Sequence, residues 1–376
     1  MTQNIREFVG PSCELLALGE PTHQEPGFGT IRNELFVQLA GQGFRSIALE
    51  TDRVAALTVN DFVQDGIGTL DDALSDGFSH SFGELDTNRD LVTWMREYNQ
   101  DRPAEQRLAF HGFDASLEMM SAPSPRRYLE YARDYLKFDL ELTPLVDADE
   151  QWSRTEAIMD PAASIGATPE ADSLRAIADD LLVSLYAHAA ELIAATSRAE
   201  WYRAETYLTA GLGLLRYHKE SAQEQADQGI RIARLSGIRD ALMAQNLLAI
   251  RGLETRRGPT LVFAHNSHLQ RNQSTWKLAG MDVILPSAGA IVSSLLTDQY
   301  TFIAGSLGRS ATIGLGEPAP GTYESYLQRS TEPWYLTPAT TIPPATSRTD
   351  QIPSQGYFPL TQSTLDTADA VMHLSD

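Results

Sequence analysis

Short, continuously apolar runs recur along this chain, separated by segments with helical periodicity, and that alternation restricts the fold more than any other feature. The runs are ELLAL (14–18), RSIAL (45–49), RLAFHG (107–112), PTLVFA (259–264), DVIL (282–285), YTFIAG (300–305) and AVMHL (370–374). Helical patterns such as 31–41, 54–65 and 88–100 lie between them. Strands apolar on both faces and joined by helices belong in a parallel sheet that is covered on both sides. The expected fold class is therefore α/β: a mostly parallel sheet with helices on both faces, and with 42% apolar residues in 376 the chain can fill such a core. The rhythm breaks at 117–257. Its larger part, 170–254, lacks strand signals and carries apolar residues at helical spacing, as in LLVSLYAHAAELIAA (181–195). It reads as a mainly helical insertion into one domain over 1–376, whose α/β core is formed by 1–116 and 258–376. The stretch 316–360 is dense in Pro and Thr and reads as mostly ordered loop, a lid or a pocket wall.

Four of the apolar runs end in ionisable side chains. Gly19-Glu20-Pro21-Thr22-His23 follows the first, Glu50 the second, Phe113-Asp114 the third and His265-Asn266-Ser267-His268 the fourth. In a parallel sheet these ends share one edge, and open α/β sheets bind ligands in the crevice there. Taken singly each residue has an ordinary explanation: Asp114 as a helix N-cap, and His80, His111, His188, His218 and His373 as hydrogen-bonded structural histidines. Two polar clusters starting where buried strands stop are harder to explain structurally. One chemistry that fits is general base catalysis by His23, with Glu20 or Glu50 orienting the ring and Arg32 supplying fixed positive charge. In it His265 or His268 donates to an oxyanion or leaving oxygen. The other places Glu20, His23, Glu50, His265 and His268 around a divalent metal that activates water. Spacing alone does not choose between them.

Other classes find less support. A formal charge of −21 disfavours nucleic acid and anionic membrane as partners. The single cysteine, Cys13, leaves no intrachain disulfide and reads as a buried structural thiol. MTQNIREFVGPS has no apolar signal-peptide core, and no run approaches a membrane span, so a cytoplasmic protein is expected. Nucleotide-binding glycine loops are missing from suitable contexts, and no cofactor is expected. No G-x-S-x-G elbow occurs; AGSLG (304–308) comes nearest, and Ser306 there reads as a turn residue.

ALGEPTH (17–23), Arg32, GFRSIALE (43–50), GIGTLDDAL (66–74), WMREYN (94–99), FHGFDAS (110–116), IRDALMAQN (238–246) and VFAHNSHLQ (262–270) together resemble, in order, the erythromycin esterase family. The resemblance implies an α/β core with a helical region and a deep cleft, and metal-independent hydrolysis of a macrolide lactone by a His that activates water. By position, Glu20, His23, Arg32, Glu50, His265 and His268 correspond to the family's functional residues, with His23 as base. Asp114 corresponds to a position that lines the substrate site. The partner implied is a small-molecule natural product of macrolide or polyketide type, in antibiotic resistance or biosynthesis; dehydration or cyclisation could use the same residues. Two departures stand out. Gln24 and Gly27 replace the family's common Gly and Glu, with Pro26 and Gly29 adding local turns. The chain also starts close before its first strand, without the longer N-terminal segment of the family's resistance enzymes.

Overall fold

The computed structural model describes residues 1–118, 120–278 and 281–375. Its strands are β1 (Leu15–Glu20), β2 (Ser46–Asp52), β3 (Ala109–Asp114), β4 (Thr260–His265), β5 (Ser274–Leu278), β6 (Met281–Leu285), β7 (Tyr300–Leu307), β8 (Trp334–Pro338) and β9 (Ala370–Leu374). Seven of them form one sheet in the order β3-β2-β4-β1-β7-β9-β8. All neighbours in it are parallel except β8, which runs antiparallel to β9. The fold is α/β, as the apolar runs predict.

Helices of nine residues or more are α1 (Pro26–Ala40), α2 (Ala56–Asp65), α3 (Asp86–Asn99), α4 (Arg126–Leu136), α5 (Pro169–Ala187), α6 (Arg198–Ser221), α7 (Gln228–Glu254) and α8 (Ala288–Leu296). Alternate strand residues feed two cores, because successive side chains point to opposite faces. Leu16, Leu18, Ile47, Leu49 and Phe263 meet α1, α2 and α3 on one side. Leu15, Ala17, Ala48, Val262 and Ala264 meet α7 and α8 on the other. Between β3 and β4 the described residues contain no strand, and α4, α5 and α6 pack around a separate apolar cluster that includes Trp152 and Trp201.

Three expectations are corrected. DVIL does not join the main sheet: β6 pairs antiparallel with β5, Ser274 opposite Leu285. Only two residues separate these strands, far too few for the crossover that a parallel neighbour needs. Within the mostly loop stretch 316–360 lies β8; Pro338 is tolerated as the last residue of an outer strand, whose far side is partly covered by the pairing of Leu336 with Thr2. Ser306 is not in a turn but within β7, fully buried. Finally, Pro26 and Gly29 make no turns. Pro26 opens α1 at a position where a missing N–H costs nothing, and the Glu25 side chain accepts from Gly27 N as the cap. Gly29 is needed by packing instead, since a Cβ there would lie 2.5 Å from Thr87 Oγ1.

Candidate active site

Parallel register brings the polar strand ends together. Along β1 and β4, Leu15 faces Thr260 and Glu20 faces His265; along β2 and β4, Ser46 faces Thr260 and Leu49 faces Phe263. Glu20, Glu50 and His265 thus leave three adjacent strands at nearly one level. The strands run further than their apolar runs, so Glu50 and Asp114 lie inside β2 and β3 rather than after them. The β2–β3 register shifts between Leu49 and Asp52, a bulge that bends the strand beside Glu50. Gly19 is demanded by close approach: a Cβ there would lie 2.1 Å from Asn266 Oδ1. That Asn266 amide clips β4 to β7, accepting from Gly305 N at 2.9 Å and donating to Gly305 O at 2.8 Å.

His23 stands where the cluster meets solvent. Its Nδ1 lies 2.7 Å from Glu20 Oε1, and its Nε2 lies 3.8 Å from Glu50 Oε2, beyond hydrogen-bond reach. The His23 side chain retains 35% exposure against 6% for Glu50. Both line a cavity of about 300 Å³ with Glu20, Arg32, Phe82 and Phe263. Behind it Glu50 acts as an electrostatic hub. Its Oε2 accepts from His265 N at 2.9 Å, and its Oε1 lies 3.4 Å from both Arg239 Nη2 and His268 Nε2. Arg239 in turn holds Asp114 with both arms of its fork, Nε to Oδ1 at 2.9 Å and Nη2 to Oδ2 at 2.5 Å. His268 Nδ1 meets Asp240 Oδ1 at 2.9 Å, an oxygen that also accepts from Ala288 N.

These contacts set the charges. Burial alone favours a protonated Glu50, but His268, His23 and Arg239 hold its carboxyl down at about 2, so it is ionised. Burial opposes a charge on His23, and the Glu50 and Glu20 carboxylates outweigh it, raising the imidazole to about 9. His265 is the opposite case. Burial first, then the His23 charge, hold it at about 3, and both ring nitrogens are engaged. As the neutral tautomer it donates from Nε2 to Pro21 O at 3.1 Å, while Nδ1 accepts from Ser267 Oγ at 2.7 Å. Arg239 overcomes burial to hold Asp114 well below the usual carboxylate range.

The structure therefore brings Glu20, His23, Glu50, Asp114, His265 and His268 into one connected cluster. Arg32 borders the same cavity and feels the Glu20 charge, yet its hydrogen bonds go to Asn88 Oδ1 at 2.8 Å, Asn33 Oδ1 and Thr87 O. Among the described residues no three His, Cys, Asp or Glu side chains converge as metal ligands; Glu50 faces Arg239 and His265 has no free ring nitrogen. Sequence reasoning misses Arg239 and Asp240, which sit side by side in a long apolar helix where charges read as solvated surface. A charged pair at the buried face of such a helix was the available signal. It also misses His80, whose Nε2 lies 3.0 Å from Asp114 Oδ2 and whose φ of +57° is a left-handed conformation at the rim of the cluster. The remaining histidines, at 111, 188, 218 and 373, each meet a protein partner away from this cluster.

The sequence matches the family described as Erythromycin esterase over residues 39–373. The chain belongs to the erythromycin esterase family. The match takes in Glu50, Asp114, Arg239, His265 and His268 but starts after Glu20, His23 and Arg32. Among solved structures, this family member is similar to a Bacillus cereus protein with a TM-score of 0.69 at 17% identity, covering 98% of this chain and 90% of that one. A mutant of the erythromycin esterase EreC in its open conformation gives a TM-score of 0.67 at 17% identity over 97% and 91% of the two chains. A succinoglycan biosynthesis protein gives 0.68 at 16% over 97% and 88%. At such identities these likenesses speak for the fold. Comparison with curated proteins yields no significant sequence match. Family membership supports a hydrolase acting on a small molecule. No helix among the described residues is long and apolar enough to cross a membrane.

Proposed function

We propose that this chain hydrolyses an ester or lactone in a macrolide- or polyketide-like natural product, with His23 as the general base. The observation that carries this reading is the asymmetry of the His23 ring. Glu20 fixes Nδ1 as the N–H side at 2.7 Å, so Nε2 is the nitrogen that turns to the cavity and to Glu50. Once neutral, that nitrogen takes a proton from water attacking the carbonyl, and Glu20 and Glu50 stabilise the imidazolium that forms. Strong basicity is the gain from the two carboxylates; the cost is that only the neutral fraction acts. His268, whose imidazole Asp240 and Glu50 raise against burial, and Arg239 keep Glu50 ionised. His265, with both nitrogens engaged, holds the Pro21 turn in place rather than meeting substrate.

The test is incubation with a 14-membered macrolide and with simple lactones, followed by mass spectrometry of the products. A product heavier by one water, abolished by His23→Gln, is the expected result. A product of unchanged mass or lighter by one water assigns the same residues to cyclisation or dehydration. Full hydrolysis by His23→Gln overturns His23 as base.

A further inference from the structure

A second recess, lined by Asp114 but by none of the residues around the His23 cavity, is not used by the mechanism. It has a volume of about 120 Å³ and is enclosed between the ends of β2 and β3 and the facing sides of α6 and α7. Arg53, the residue directly after β2, lines it and also the wide groove of about 1460 Å³ that runs between α2 and α6. Arg53 is 8% exposed. Its backbone N donates to Asp114 O at 3.2 Å, but its guanidinium has no hydrogen bond or ion pair among the described residues. Nor are its nitrogens among the sealed polar atoms without partners, so they keep accessible surface where Arg53 lines the recess and the groove. Burial lowers Arg53 to about 10, with Glu205 the charge that offsets this, from beyond ion-pair distance.

A buried guanidinium with five donors and no protein acceptor is costly, and a cavity beside it offers an anion the place that an acidic side chain would otherwise take. The nearby carboxylates are already engaged: Asp114 by Arg239 and His80, and Glu205 by the Tyr186 hydroxyl. The rest of the wall combines apolar Leu117, Ala210, Leu214 and Leu242 with neutral polar side chains such as Thr206, Gln245 and Asn246. We propose that this recess is a binding site for a small organic monocarboxylate, its carboxylate paired with Arg53 and a short apolar tail among the leucines. The size fits, since a cavity near 150 Å³ holds a benzene, so about six heavy atoms enter here. One guanidinium suits one negative charge, and the apolar part of the wall favours a tailed carboxylate over a phosphate.

The experiment is calorimetric titration of the full chain with butyrate, butyramide and inorganic phosphate. Saturable one-to-one butyrate binding is expected, with butyramide about tenfold weaker or worse because it lacks the charge-assisted pair. Arg53→Met should lose butyrate binding, and His23→Gln should keep it, which separates this recess from the catalytic cavity. If Arg53→Met does not fold, Ala210→Leu, which fills the recess from α6, is expected to block butyrate instead. The proposal is overturned by absent butyrate binding, by equal binding of butyrate and butyramide, by stronger binding of phosphate, by unchanged binding in Arg53→Met or Ala210→Leu, or by its loss in His23→Gln.

Discussion

His23 and His373 are each held through Nδ1 by a side-chain oxygen, Glu20 Oε1 at 2.7 Å and Ser306 Oγ at 3.0 Å, the first just beyond a strand of the main sheet and the second within one. His23 follows the end of β1, keeps part of its surface in a cavity and faces two carboxylates. His373 lies within β9, is fully buried and finds neutral partners on both sides, with Gln328 Oε1 3.0 Å from Nε2. Burial opposes charge on both rings. Only His23 has carboxylates to overcome it, so one imidazole is raised to about 9 and the other lowered to about 3. The lesson is that a histidine acquires proton chemistry from the charge of its partners and its place along the strand, while hydrogen bonding alone leaves it structural.

The comparison breaks first at catalysis. His23→Gln is expected to lower kcat by at least ~10²-fold, the usual contribution of a positioned base, and His373→Gln to leave it unchanged. Steady-state kinetics on a substrate found by the macrolide and lactone screen measures both. A fall of similar size in His373→Gln would mean that the sealed cluster also serves the reaction.

The second break is in stability. Glu50→Gln removes the negative charge facing His23, His268 and Arg239 inside the cluster. The fold should lose about 3 kcal/mol, as when one partner of a buried ion pair is deleted, read from urea unfolding. A loss below that of Ser306→Ala would refute Glu50 as the hub.

These two sites were not equally legible in the sequence. Glu20, His23, Glu50 and His265 follow or close continuously apolar runs, and in a parallel sheet run ends share an edge, so their meeting could be read from pattern alone. Arg239 and Asp240 could not, because what makes them part of the cluster is the long-range docking of α7 against β3. Arg32 was placed at the cavity, but its partner Asn88 is 56 residues away and no spacing announces it. Ser306 looked like a turn because AGSLG has two glycines, yet one of them, Gly305, is there to let β1 pass closely: a Cβ on it would lie 2.4 Å from Gly19 O. In the fold, β8 escaped notice because an outer antiparallel strand ending in Pro has neither the continuous apolar run nor the helix that marks the others.

A third prediction sharpens the contrast through pH. With His23 raised to about 9 and its neutral form the active one, kcat/KM should rise with pH to a plateau above about 9. In Glu50→Gln the largest raising influence is gone, and the midpoint should move down toward the ordinary ~6.5. Stability runs the other way. A histidine whose folded value lies above its unfolded one stabilises fully below about 6.5, and that contribution disappears as pH climbs through about 9. Wild type should therefore lose stability relative to His23→Gln over that window, in denaturant titrations at several pH values. A kcat/KM that falls toward pH 9 would make His23 an acid rather than a base.

The smallest effect belongs to the sealed cluster. Ser306→Ala leaves His373 Nδ1 without its partner at 3.0 Å in a region with no exposed surface. The cost should be about 1–2 kcal/mol, the desolvation of one unpaired neutral acceptor. No pH dependence should accompany it between 5 and 9, because burial already keeps His373 neutral, at about 3. Neutral Ser306 contributes packing and one hydrogen bond, whereas the carboxylates around His23 set a protonation state. If Ser306→Ala instead gave a pH-dependent loss, His373 would be carrying charge, and the partners' charge would no longer explain why these two histidines differ.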